Sequence, residues 1–196
     1  MDFPVLPGLI IWYKDDIELS IQLRSAQFAM ETAIQDLNLS LFMFQNWNKI
    51  ASTSIAHGNE QVIEFNEKLG RRMPFHQANS FLYALDTFYK VFRTLTIIPK
   101  IKESAIGLFN QFNASFPHLS IVRNSAQHIE DRYQQKARGK NIKVEEGFYT
   151  CCLFNNQLGY TTETGKLHYV EISENSLRTV VDIFNKLMCS LEWQKL

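Results

Sequence analysis

From Asp15 to Ala51 the chain runs for about 37 positions with no glycine or proline, a length that favours one long helix, straight or bent. Apolar residues recur in this run at Ile17, Ile21, Phe28, Ile34, Leu37, Leu41, Phe44 and Trp47, mostly three or four apart. Such spacing gathers them on one side of a helix. Asp15 and Asp16 stand at its start, where the helix dipole favours negative charge. A long amphipathic helix needs other helices to cover it, and the rest of the sequence offers them.

After His57-Gly58-Asn59, residues Glu60 to Leu69 fit a short helix ending near Gly70. Pro74 then opens PFHQANSFLYALDTFYKVFRTL, whose Phe75, Ala78, Leu82, Leu85, Phe88, Val91, Phe92 and Leu95 predict a helix buried on one broad face. Phe81, Phe88 and Phe92 are expected in the core. Pro99 separates this helix from the next, Lys100 to about Phe112. A further helix is predicted from near Pro117 to about Ala137, with Pro in its first turn and Gly139 placed to end it. Four principal helices are enough to enclose a bundle core.

The pattern changes after Gly147. FYTCCLF, a turn at Asn155-Asn156, QLGYTT, a turn at 163–166 and LHYVEIS predict a small antiparallel meander over 147–172. Ser173 can cap a final helix that carries Leu177, Val180, Val181, Phe184, Leu187 and Met188 on its apolar side. A three-stranded sheet alone is only marginally stable, so this one is expected to pack on the bundle. With no internal repeat and no linker, residues 1–196 are expected to form a single domain.

Composition narrows the function classes. The chain is 45% hydrophobic and carries 15 Phe against 8 Gly and 5 Pro, which excludes disordered and low-complexity classes. Pro4 and Pro7 suit an extended N-terminal arm, whose apolar stretch has no basic residue before it and lacks the small-residue cleavage site of a secretory signal. No apolar run is long enough for a membrane span. Cys151, Cys152 and Cys189 form neither a disulfide framework nor a zinc spacing, and are expected to be reduced packing residues of a cytoplasmic protein. The glycines make no phosphate-binding loop, and no nucleophile elbow occurs. No cofactor and no metal are expected.

The informative segment is IVRNSAQHIEDRYQQKARGKNI. On a helix Asn124 and His128 share a face, while Arg123 lies about 140° around from His128 and would reach it only through its long side chain, or from a second chain. The set unites a fixed cation, a neutral polar group and the side chain that titrates near neutrality. RNA carries its own nucleophile, the 2′-hydroxyl, and needs no metal if a base takes that proton. His128 suits the base or acid, Arg123 the charge on the phosphate, and Asn124 the orientation of either. Charge is divided to match: six basic and two acidic residues lie between Ser120 and Lys143, whereas residues 1–60 hold three basic and seven acidic ones. Arg132, Lys136, Arg138 and Lys140 are the candidate RNA contacts.

Arg-Asn, three residues and His, in the penultimate helix of an α-bundle and after an aromatic-rich helix, resembles the R-x4–6-H signature of HEPN domains. The resemblance covers roughly residues 15 to 140 and implies a HEPN-like four- or five-helix bundle, with the meander as an insertion. Many HEPN proteins are metal-independent ribonucleases of toxin–antitoxin or other defence systems, and form dimers whose motifs face a shared cleft. Arg123 and His128 would then be catalytic, Asn124 a polar helper, and RNA, a second copy and an antitoxin the partners. Glu130 departs from the pattern of toxins that carry Tyr two residues beyond the His, which puts control by nucleotide transfer in doubt.

A structural alternative stands beside this one. Arg123 and His128 would hold a helix interface, with Glu130 or Asp131 as partner, or bind a nucleotide, in a non-catalytic binding or dimerisation module of the same fold. His57 reads as a loop residue, His76 as a cap or packing residue, His118 as exposed, and His168 as a surface or cross-strand residue.

Overall fold

The computed structural model describes residues 16–55, 72–129, 136–137, 140–141 and 151–191. The mainly helical class holds, with a small three-stranded antiparallel sheet before the last helix. The N-terminal arm, the short helix expected over 60–69 and His57 lie outside the described residues.

The first helix, α1 (Ile17–Ile55), has 39 residues, roughly 58 Å at 1.5 Å per residue. Asp16 starts it: its Oδ1 accepts the Leu19 N–H at 2.9 Å, and its Oδ2 pairs with Lys100 Nζ at 2.7 Å. The Lys100 ammonium and then the Leu19 amide hold the Asp16 carboxyl below its usual range. Helix α2 (Met73–Leu95) packs along α1 as its principal neighbour. Helix α3 (Lys102–Ser115) follows the turn at Pro99. Its Phe112 and Phe109 interleave with Phe88, Tyr89 and Phe92 of α2, at centroid distances of 5.4–6.4 Å. Phe81, Phe88 and Phe92 are fully buried, as expected.

The apolar face of α1 differs from the expected one. Leu19, Leu23, Met30, Ala33, Ile34, Leu37 and Leu41 are buried, whereas Ile17, Ile21 and Phe28 are 64%, 61% and 72% exposed. Leu39 and Phe42 join the exposed set. At 100° per residue these five fall within about 60° of one another, roughly opposite the buried face. The helix thus carries two apolar stripes, and a spacing of three or four cannot say which one meets the core.

Helix α4 (Leu119–Gln127) is shorter than expected: it stops at Gln127, with His128 as its C-cap. Residues 130–135 lie outside the described ones. Lys136–Ala137 and Lys140–Asn141 form instead a two-residue antiparallel ladder, β1 (Lys136–Ala137) with β2 (Lys140–Asn141).

The meander consists of β3 (Cys151–Phe154), β4 (Gln157–Thr161) and β5 (Leu167–Glu171), in that spatial order. Asn155 and Asn156 take φ of 47° and 61°, the left-handed pair that a two-residue hairpin turn requires. Gly159 is needed for another reason: a Cβ there would lie 2.6 Å from the ring of its cross-strand partner Tyr169. Leu158, Tyr160 and Val170 are buried on one face of the sheet, which packs on α4, and the Tyr160 hydroxyl donates to Asn79 Oδ1 of α2 at 2.6 Å.

Ser173 caps α5 (Glu174–Ser190), its Oγ accepting the Ser176 N–H at 3.2 Å. The apolar side of α5 closes against α3 and α1. Cys151 and Cys152 are half-buried, but Cys189 is exposed and does not pack as expected. No described helix is long and apolar enough to cross a membrane.

Candidate functional site

Helix α4 buries Leu119, Val122 and Ser125, turning one side to the core. Arg123 therefore falls at the edge of the buried side, with its side chain only 17% exposed, while Asn124, Gln127 and His128 face solvent. The His128 N–H donates to the Asn124 carbonyl at 3.1 Å, the last helical bond, so the imidazole projects from a helix end.

Among the described residues the partner of Arg123 is Asp86, in the middle of α2; Glu130 and Asp131 lie outside the described residues. Arg123 Nε lies 3.0 Å from Asp86 Oδ1, although the two are not aligned as a hydrogen bond, so charge holds the contact. Lys90 Nζ, one turn along α2, takes Asp86 Oδ2 at 2.7 Å. Arg123 Nη1 donates to Gln127 Oε1 at 2.9 Å. One carboxylate, only 4% exposed, thus serves two cations, and among the described residues the cluster keeps a net positive charge. Asp86 interrupts the aromatic run ALDTFY, and a lone acid on an otherwise apolar helix face was the signal that could have flagged it.

Tyr83 sits one turn before Asp86 and Thr87 and is 39% exposed. Partial burial pushes its phenol up, with the charge of Arg123 opposing and that of Asp86 adding, which puts the ring within reach of both. Of the candidate RNA contacts, Lys136 and Lys140 stand on the short ladder and not on a helix end, because α4 has already stopped. Arg132 and Arg138 lie outside the described residues.

The other histidines divide. His76 is exposed on the second turn of α2 and caps nothing; its Nδ1 lies 3.4 Å from Ser80 Oγ. His118, the N-cap residue of α4, is half-buried and not exposed, because its ring meets that of His168 at 4.5 Å. Burial, then the charges of His118 and Lys166, push the His168 imidazole below its ordinary value. Among the described residues no three His, Cys, Asp or Glu side chains converge as metal ligands.

No protein-family model, curated protein or solved structure gives a significant match to the chain.

Two outcomes follow from this geometry. Asp86→Ala strands a largely buried guanidinium and is expected to cost about 3–5 kcal/mol, while the double variant Asp86→Leu/Arg123→Met recovers most of that loss. Lys90→Ala, at an exposed ammonium, should cost about 1 kcal/mol or less. Urea unfolding of the intact chain and these three variants measures the differences. His168, lowered in the folded state, binds fewer protons there than when unfolded. Its contribution is therefore intact above pH 6.5 and lost as pH falls below it. Urea midpoints on either side of that pH should show the fall, and His168→Gln should flatten it.

Proposed function

We propose that the protein is a HEPN-type, metal-independent endoribonuclease of a toxin or other defence system. The observation that carries the reading is the Asp86-anchored Arg123, five residues before an exposed His128, in a cluster that stays positively charged among the described residues. In this reaction the 2′-oxygen attacks the adjacent phosphorus and the P–O5′ bond breaks, leaving a 2′,3′-cyclic phosphate and a 5′-hydroxyl. His128 takes the 2′-hydroxyl proton, and a second His128 from a two-fold mate protonates the departing 5′-oxygen. The fixed guanidinium meets the charge that grows on the phosphoryl oxygens, and its anchoring to Asp86 spares the entropy of positioning it. Asn124, exposed one turn before His128, orients the imidazole or donates to a phosphate oxygen. Arg132, Lys136, Arg138 and Lys140 hold the flanking backbone.

A second copy completes the site in this reading, and the outer stripe of α1 supports self-association. Its five large side chains each expose on the order of 100 Å², so pairing two stripes would bury about 1,000 Å², the threshold of a specific interface. An antitoxin is the other partner of this reading.

One observation favours a non-catalytic bundle of the same fold. The Arg123–Asp86 pair is buried enough to serve as an interhelical tie alone. The two readings separate on His128, which is exposed and should be nearly neutral for stability.

Incubation with mixed RNA in excess chelator should yield cyclic-phosphate ends, and His128→Ala should slow cleavage about a hundredfold or more without lowering the melting temperature. Cleavage that survives in His128→Ala, or none by the intact protein, overturns the nuclease reading. Light scattering tests the assembly: the intact chain should run as a dimer and Phe28→Glu as a folded monomer.

A further inference from the structure

Two open grooves flank the exposed side of α2 and share Ser80 and Tyr83 as a common wall. Their charges differ. The groove toward α1, about 550 Å³, carries Asp36, whose carboxylate repels phosphate. The groove toward the start of α2, about 570 Å³, is lined among the described residues by Arg72, Phe75, His76, Asn79, Ser80 and Tyr83, a cation and an imidazole with no acid. That volume lies within the roughly 300–1,000 Å³ of small-ligand sites.

The groove is also built rigidly. Asn79 is locked from two sides, its Oδ1 accepting from the Tyr160 hydroxyl at 2.6 Å and its Nδ2 donating to the Phe75 carbonyl at 2.9 Å. Phe75 leans on the Tyr160 ring at 6.2 Å. Ser80 Oγ lies 3.1 Å from the His76 carbonyl and 3.4 Å from His76 Nδ1, which leaves Nε2 as the free edge of the ring for a ligand. Tyr83 lines this groove partly exposed and feels the charge of Arg123.

We propose that this groove binds one nucleotide unit of the single-stranded RNA substrate, its base stacked on Tyr83 and its phosphate held by Arg72 and His76. The site deepens the nuclease reading and rests on it. An aromatic face accepts any base, a guanidinium supplies the charge that a phosphate needs, and Tyr83 and Arg72 line this groove together, whereas Asp36 lines the other. The unit bound here is a neighbour of the cleaved one, so the groove sets where along a strand the chain is gripped. It performs no chemistry.

The test uses the full chain with a short fluorescent 2′-O-methyl oligonucleotide, which lacks the nucleophile, followed by anisotropy, and unmodified RNA to follow cleavage. Tyr83→Ala should weaken binding about tenfold or more, and Tyr83→Phe should restore the lost affinity, because the ring stacks and the hydroxyl does not. Arg72→Ala should lower the slope of log affinity against log salt by about one. His128→Ala should lose cleavage yet bind the oligonucleotide. Circular dichroism melts confirm that each variant is folded. If the intact chain binds and cleaves but Tyr83→Ala and Arg72→Ala match it in both, the groove is overturned and the nuclease reading stands. If the intact chain binds without cleaving and Tyr83→Ala weakens that binding, the groove stands and the nuclease reading falls. An intact chain that neither binds nor cleaves overturns both. A free mononucleotide that competes as tightly as the oligonucleotide also overturns the RNA assignment, in favour of a nucleotide pocket.

Discussion

A carboxylate placed among leucines and phenylalanines has to be neutralised, and much of the arrangement around α2 and α4 answers to that need. Asp86 is buried between Leu85 and Phe88 on the face that meets the core, where an unpaired charge would cost several kcal/mol. Lys90 reaches it from within α2, but Arg123 has to come from another helix. The pair therefore fixes the register of α4 against α2. Once Arg123 is committed there, Val122 and Ser125 turn inward while Asn124 and His128 turn out. One electrostatic requirement thus both docks a short helix and exposes an imidazole.

The sheet belongs to the same construction. Its inner face packs on α4, and Tyr160 reaches past it to Asn79. An otherwise marginal meander becomes a buttress that holds the beginning of α2 and α4 together. It also brings His168 against His118 and makes that contact sensitive to protonation. The grooves on α2, the anchored arginine and the exposed histidine all lie on elements that this buttress or the Asp86 tie holds in place. Function, in the reading proposed here, uses side chains whose positions were fixed by the demands of packing.

Most of the architecture was legible from local signals. The long glycine- and proline-free run, the prolines between helices, the Asn155-Asn156 turn and the Ser173 cap each act within a few residues, so their outcomes do not depend on distant partners. Where local signals were ambiguous, the expectations failed. The residues of α1 spaced three and four apart belong to two opposite stripes. The helix expected to reach Ala137 overlooked the pairing of Lys136–Ala137 with Lys140–Asn141, which depends on a partner segment and not on residue spacing. Within the site, Arg123 and His128 could be singled out by residue type. Asp86 could not be assigned to Arg123, because the two are far apart in sequence and meet only through the packing of α2 on α4.

The sequence alone determined the helical class, the order of the described helices and the meander, the aromatic core of α2 and the candidate chemistry of an arginine and a histidine, since periodicity, turn chemistry and ionisation are properties of short segments. Only the tertiary structure decided which stripe of α1 is covered, that Asp86 holds Arg123, that His128 ends a helix and is not inside one, and that a cationic groove opens beside Tyr83. These are matters of which distant surfaces exclude water together, and that choice is made by the folded chain as a whole.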